Sequence, residues 1–239
     1  MSNLEKSFNK IKFLSGSSLK VIAVVTMLID HVAVAFHDVR FMGAPFFSLG
    51  SNQISIYFIM RNIGRLAFPL FCFLIAEGYY HSKDRLKYGR NLLIFAVISE
   101  VPFDLFLTGQ VVSLERQNVY FVLALGLLSL LVIESEWRNI YKALFFAATF
   151  AATILLHIDY GINGVLLIVL FYMLRDNALL KTILSFPFLS GGFAAFCALV
   201  PINMYNGERG FIKGKVAKYF FYAFYPAHLL LLFIIGKYL

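Results

Sequence analysis

Charge and cysteine are both scarce in this sequence. Charged side chains make up 14% of its 239 residues, against 60% hydrophobic ones. An ordinary soluble domain carries about 25% charged and roughly 45–50% apolar residues. The balance found here excludes a water-soluble globule and equally a disordered chain. The two cysteines, Cys72 and Cys197, both sit inside apolar runs, which excludes a disulfide scaffold. Acidic residues are the scarcer sign: 13 against 21 Lys and Arg, a net charge of +8. In a membrane protein such an excess belongs to juxtamembrane loops facing the cytoplasm. No basic segment carries a nucleic-acid motif, so no nucleic-acid partner is expected. Walker A, Rossmann, HExxH and clustered Cys/His patterns are all missing, and so is a GxSxG elbow. ATP-driven transport, zinc proteolysis and common serine hydrolysis therefore have no support, and no metal is expected.

What the sequence has is a succession of long apolar blocks, with a mean hydropathy of +0.78. Blocks near the 17–25 residues needed to cross a bilayer read as transmembrane helices. The pattern predicts an all-α, polytopic membrane bundle of about eight spans: 19–36, 56–80, 91–107, 119–133, 141–157, 162–174, 182–200 and 219–235. Pro69, Pro102 and Pro187 fall inside spans, where neighbouring helices can re-satisfy the freed backbone groups. Residues 1–18 form a basic N-terminal segment with no removable signal peptide. No internal repeat or second domain is visible, so 1–239 reads as one domain.

Lys and Arg in the loops set the orientation. With the N-terminus in the cytoplasm, the inner segments hold Lys6, Lys10, Lys12, Lys20, Lys83, Arg85, Lys87, Arg90, Arg138, Lys142, Arg175, Lys181 and Lys237. One loop resists. Residues 201–218 carry Arg209, Lys213, Lys215 and Lys218, yet an eight-span count puts them outside. Either a span is miscounted or these cations have a task of their own.

Ionisable side chains at membrane depth cost at least about 2.5–3.5 kcal/mol on insertion scales, so they mark candidate sites. Asp30 and His31 lie late in the first span. Neighbours on a helix point about 100° apart, so they do not bond each other easily, but both can face one cavity. A neutral His there is a ready general base; its alternative is a packing His with a backbone partner. Arg61 and Arg65 share a helical face and call for anions such as Asp30, a phosphate or a carboxylate, or else extend to the headgroups. Glu77 either belongs to a site or faces cytoplasmic water. Glu100 and Asp104 flank Pro102; such a pair could bind a cation or salt-bridge the arginines, and the salt bridge is the favoured reading. Asn118 reads as a helix cap or a polar contact, and Asp159 as a helix cap or part of a site. Tyr205 and Asn206 open the unusual stretch 201–210. Tyr222 and Tyr225 share a face one turn below Lys218, and His228 follows Pro226 inside the last span.

These residues fall into blocks whose order resembles the TraX family of bacterial membrane proteins. The blocks are Leu19-Lys20-Val21-Ile22-Ala23, Met27-Leu28-Ile29-Asp30-His31, Ile63-Gly64-Arg65-Leu66-Ala67-Phe68-Pro69-Leu70-Phe71 and Glu77-Gly78-Tyr79. They continue with Lys87-Tyr88, Pro102-Phe103, Asp159-Tyr160-Gly161, Tyr205-Asn206-Gly207, Arg209-Gly210 and Lys218-Tyr219-Phe220-Phe221-Tyr222 leading to Tyr225-Pro226-Ala227-His228. The resemblance implies a multi-pass protein of the bacterial cytoplasmic membrane that transfers acetyl from acetyl-CoA to an amine: a peptide N-terminus, an amino sugar or a small amine. His31 would be general base or acetyl carrier, with Asp30 and Arg65 as catalytic companions. Arg61, Arg65, Arg209, Lys213, Lys218, Tyr222 and Tyr225 would be the groups binding acetyl-CoA. Glu77, Glu100, Asp104, Asp159, Tyr205, Asn206 and His228 would contact the acceptor or hold structure. An O-acyltransferase of a surface glycan or lipid, and a proton-coupled transporter, are the rival readings.

Overall fold

The computed structural model describes residues 12–50 and 52–237. The first eleven residues, with Lys6 and Lys10 of the basic N-terminal segment, lie outside the described residues, as do 238 and 239. The fold is mostly helical. The described residues fall into two compact units: one holds those up to Leu74 together with Gly191–Tyr219, the other Ile75–Ser190 and those from Phe220 onward.

The first unit begins with α1, Gly16–Ala35, whose Ser15 side chain caps the helix by accepting from the Ser18 amide. The capped start opens a helix of twenty mostly apolar residues that runs without a break, about 30 Å at the usual rise. A short helix, α2 (Arg40–Gly43), follows. An antiparallel hairpin, β1 (Phe47–Leu49) with β2 (Asn52–Ile54), occupies what the sequence presented as loop. Helix α3, Ile56–Gly64, is capped by Ser55, which accepts from the Phe58 amide. It packs antiparallel on α1: the rings of His37 and Tyr57 meet at one end, 4.8 Å apart, and Asp30 meets Arg61 further in. Helix α4, Ala67–Tyr80, continues the same span after a turn at Arg65 and Leu66. Gly64 permits the close approach, since a Cβ there would overlap the Asp30 side chain. In lipid, small residues at crossings do much of the work that hydrophobic burial does in water.

The expected seventh span is not one helix. Its first half forms α9 (Ala178–Ser185) and a 3-10 turn (Phe186–Phe188), in the second unit. Its second half forms α10 (Gly192–Phe196) and α11 (Leu199–Asn203), in the first. No piece reaches the length of a crossing: eight residues of helix extend only about 12 Å. After α11 the chain joins the start of α1. Leu14 and Tyr205 form a parallel bridge, with Leu14 N donating to Met204 O (3.0 Å) and Asn206 N to Leu14 O (2.9 Å). Gly16 N then donates to Glu208 O at 2.8 Å and Ser17 N to Arg209 O at 2.9 Å. The Ser17 hydroxyl adds a bond to Arg209 O (2.7 Å) and accepts from Ile212 N (2.8 Å). The basic stretch after α11 and the beginning of α1 therefore lie at one end of this unit. The eight-span count would have set them on opposite faces.

In the second unit, α5 (Arg85–Thr108) starts earlier than its apolar run because Asp84 caps it, accepting from the Lys87 amide. Pro102 is accommodated within it. Helices α6 (Val119–Glu134), α7 (Asn139–Leu155) and α8 (Gly161–Met173) follow. Leu127 and Leu130 of α6, with Leu167, Ile168 and Phe171 of α8, have no exposed surface. Helix α12, Gly214–Lys237, closes the chain, beginning in the first unit and ending in the second. Four helical stretches are long and apolar enough to cross a membrane: Gly16–Ala35, Ile56–Tyr80, Arg85–Thr108 and Gly214–Lys237; shorter apolar helices accompany them.

Candidate functional site

Asp30 and Arg61 form an ion pair at 2.6 Å, with 21% and 24% of their side chains exposed. The sequence offered this pairing, and the antiparallel α1–α3 contact delivers it. His31 is the next residue of α1, half-buried and itself in contact with a partner. Arg65 lies one turn beyond Arg61, at the break between α3 and α4. Its amide shares the Arg61 and Asn62 carbonyls at 3.2 Å each. The Arg65 side chain is half-buried, and its guanidinium takes no ion pair or hydrogen bond among the described residues. Its stem runs along the Gly191 backbone: a Cβ at Gly191 would lie 2.9 Å from Arg65 Cδ. One arginine of the pair is thus neutralised inside the protein, and the other takes no ion pair among the described residues.

At the other end of this unit, Arg209 and Lys213 are exposed and Lys218 half-buried, its ammonium 5.7 Å from the centre of the Tyr219 ring. Tyr205 meets Phe73 edge-on at 5.3 Å, and Asn206 caps its own turn by accepting from the Glu208 amide at 2.9 Å. The Tyr-Asn-Gly segment is therefore built to shape the loop that closes on α1.

The remaining candidates lie in the second unit. Glu77 does not face water. It is 5% exposed, accepts from Arg175 Nε at 2.7 Å and has His81 at 3.5 Å. Arg175 lies outside the spans, and its guanidinium sits 3.7 Å above the Tyr80 ring. Partial burial lowers its pKa, but the hydrogen bond and charge of Glu77 outweigh this and hold it above its ordinary value. Beside it, Glu134 accepts from Tyr79 at 2.8 Å and also from Arg85 and Tyr172. Sequence reasoning missed Glu134 and Tyr172. The only hint was an acid standing at the very end of an apolar run.

Glu100 and Asp104 do not take the predicted role of arginine partners. Glu100 accepts from the backbone amide and side-chain amide of Asn118, and Asp104 from the Ser113 amide at 2.9 Å. Both carboxylates organise the α5–α6 loop, whose backbone donors lie much nearer in sequence than any arginine of α3. Asn118 caps α6 as expected, accepting from the Tyr120 amide at 3.0 Å. Asp159 is not a cap. The capping position of α8 is Tyr160, with φ 61° and no side-chain bond, and Asp159 instead faces Arg116 at 3.4 Å. Tyr222 stacks on Phe95 at 4.9 Å, and Tyr225 meets Tyr120 edge-on at 5.2 Å. Both are buried in this aromatic cluster. His228 is 5% exposed, with Nδ1 2.7 Å from Phe224 O and its ring stacked on Phe224. It is a packing histidine with a backbone partner.

Apolar helices of crossing length, with a charged pair and a second cation held inside one of their crossings, define a helical protein of the multi-pass membrane type. Comparison places it more narrowly. The chain belongs to the TraX family, whose protein model matches residues 15–236. A similar protein is the probable fimbrial assembly protein FimC, serogroup H1, of Dichelobacter nodosus, 34% identical over 247 residues, covering 91% of this chain and 94% of that one. No solved structure matches.

Proposed function

We propose that this chain is an integral membrane acetyltransferase that moves acetyl from acetyl-CoA to an amine. The observation that carries the reading is the Asp30–Arg61 pair, with His31 the next residue after Asp30 on α1 and Arg65, which takes no ion pair among the described residues, one turn beyond Arg61. An acceptor ammonium must lose a proton before its lone pair can attack the thioester carbonyl. His31 takes that proton. The carbonyl oxygen gains negative charge as the C–N bond forms, and Arg65 supplies a cation for it. The C–S bond then breaks, and the CoA thiolate leaves and is protonated. A stepwise route through acetyl-His31 uses the same groups. The Asp30 carboxylate lies against Arg61, and His31 is the next residue of α1.

The donor carries phosphates, which favour Arg and Lys. Arg209 and Lys213 are exposed at the start of α1, which suits them to that task, with Lys218 nearby in sequence. The family match runs through both compact units, which favours one functional domain. Among acceptors, the fimbrial name of the D. nodosus relative favours the amine of a pilus subunit.

The zip between residues 204–212 and α1 supports a cytoplasmic location for that loop, on the side of the α1 start. An even number of crossings then separates them. Taking α1, α3–α4, α5, α6, α7 and α8 as crossings, with 178–203 entering and leaving on one side and α12 as the last, the protein crosses seven times. Arg209, Lys213, Lys215 and Lys218 thereby join the inner cations while Lys237 leaves them, and the inner excess that the positive-inside rule favours grows.

The test uses purified protein in detergent with acetyl-CoA, following free CoA with and without simple amines. Acceptor-dependent release that vanishes in His31→Ala supports the reading. No release and no donor binding by folded protein sinks it, as does full activity in the variant.

A further inference from the structure

We infer that Gly191 is a positioning residue for Arg65: the turn at 190–192 braces the stem of that arginine so that its guanidinium is presented to an anionic oxygen of the ligand. The inference deepens the acetyltransfer reading and rests on it. Three observations meet at this point. Arg65 lies within an apolar span yet forms no ion pair or side-chain hydrogen bond among the described residues, while Arg61 one turn away is paired. A permanent cation in such a place needs an anion. The backbone changes from α3 to α4 at Arg65 itself, so helix geometry alone does not fix where its side chain leads.

The third observation is the brace. Gly191 adopts φ +125°, and a Cβ there would sit 2.9, 3.1 and 3.3 Å from Arg65 Cδ, Cγ and Cβ. The whole aliphatic stem is lined by one backbone position. Gly192 beside it has φ +62° but nothing within 4 Å of an added Cβ. The turn needs a glycine at both positions, and only at Gly191 does the arginine stem add a second demand. The turn falls within the expected seventh span, where the chain meets the Arg65 stem.

The experiment compares wild type, Gly191→Ala, Gly192→Ala, Arg65→Ala and the double variant Gly191→Ala/Arg65→Ala, measuring kcat and KM for acetyl-CoA and the thermal midpoint. Gly191→Ala should lower kcat at least tenfold, with a smaller change in KM, while Gly192→Ala keeps most of the activity. In the Arg65→Ala background, Gly191→Ala should cause no further loss of kcat, and its cost in thermal midpoint should shrink because the stem it strikes is gone. Independent, multiplying losses in kcat, or a Gly191→Ala enzyme as active as wild type, would overturn the inference. A wild-type protein that neither binds nor consumes acetyl-CoA instead removes the acetyltransfer reading and the ligand role of Arg65. The midpoint cycle then still decides whether Gly191 and Arg65 are coupled.

Discussion

At the scale of single residues, the chain spends its few charges in pairs. Asp30–Arg61 and Glu77–Arg175 both remove carboxylates from water. Such pairs need not add net stability, but breaking one by removing a single partner typically costs about 3–5 kcal/mol, because the survivor stays buried and uncompensated. Arg175→Leu should therefore lower the thermal midpoint in detergent sharply, and Glu77→Gln in the same chain should restore part of the loss. Arg61→Met should do likewise for Asp30, with a smaller effect because that pair is partly exposed. Gly64→Ala sets a methyl against the Asp30 side chain, and overpacking of this kind costs about 1–3 kcal/mol. Loss of activity in Gly64→Ala should exceed what its stability loss explains, since the displaced group adjoins His31. An enzyme equally active per folded molecule would detach the ion pair from the chemistry.

At the scale of elements, the ends of helices carry the polar residues that looked like site residues in the sequence. Asn118 and Glu100 form one such end: Asn118 caps α6 while its own amides are held by Glu100. Loss of a cap costs about 0.5–2 kcal/mol. Asn118→Ala should thus destabilise by at least that amount, and Glu100→Gln by less, with kcat of the folded fraction unchanged in both. A large drop in kcat for Glu100→Gln would return that carboxylate to the active site. The contrast shows what was legible beforehand. The helices α1, α5 and α6 announced themselves as apolar runs, and Asn118 as a cap by its place before one. The break within 178–203 did not, because hydropathy averages over short helices and a turn as readily as over one straight helix. Pro187, Gly191 and Gly192 were the available signs. His31, Asp30 and the two arginines stood out as ions in apolar surroundings. Arg175 did not, because it lies 98 positions from its carboxylate in a segment whose charges served only to set orientation.

At the scale of the whole chain, one set of hydrogen bonds joins the α1 start to residues 204–212. The seven-crossing reading proposed above sets the C-terminus on the face opposite that loop. Single cysteines placed at Lys213 and at Lys237 in a chain lacking Cys72 and Cys197 should react with an impermeant maleimide only from the cytoplasmic side at 213 and only from the outer side at 237. The reverse pattern, 213 labelled from outside and 237 from the cytoplasm, would restore the eight-span count and separate the basic loop from the donor.

The zip at α1 also bears on how the protein is made. The amides of Gly16 and Ser17 leave the ribosome early, but the Arg209 carbonyl that the second of them meets belongs to a residue 192 positions later. The start of α1 therefore waits for a late part of the chain: until residues 204–212 have emerged, the Ser15 cap serves that end without the loop. A nascent protein halted before residue 204 would already hold Asp30 against Arg61 but would lack the clamp that closes over the α1 start.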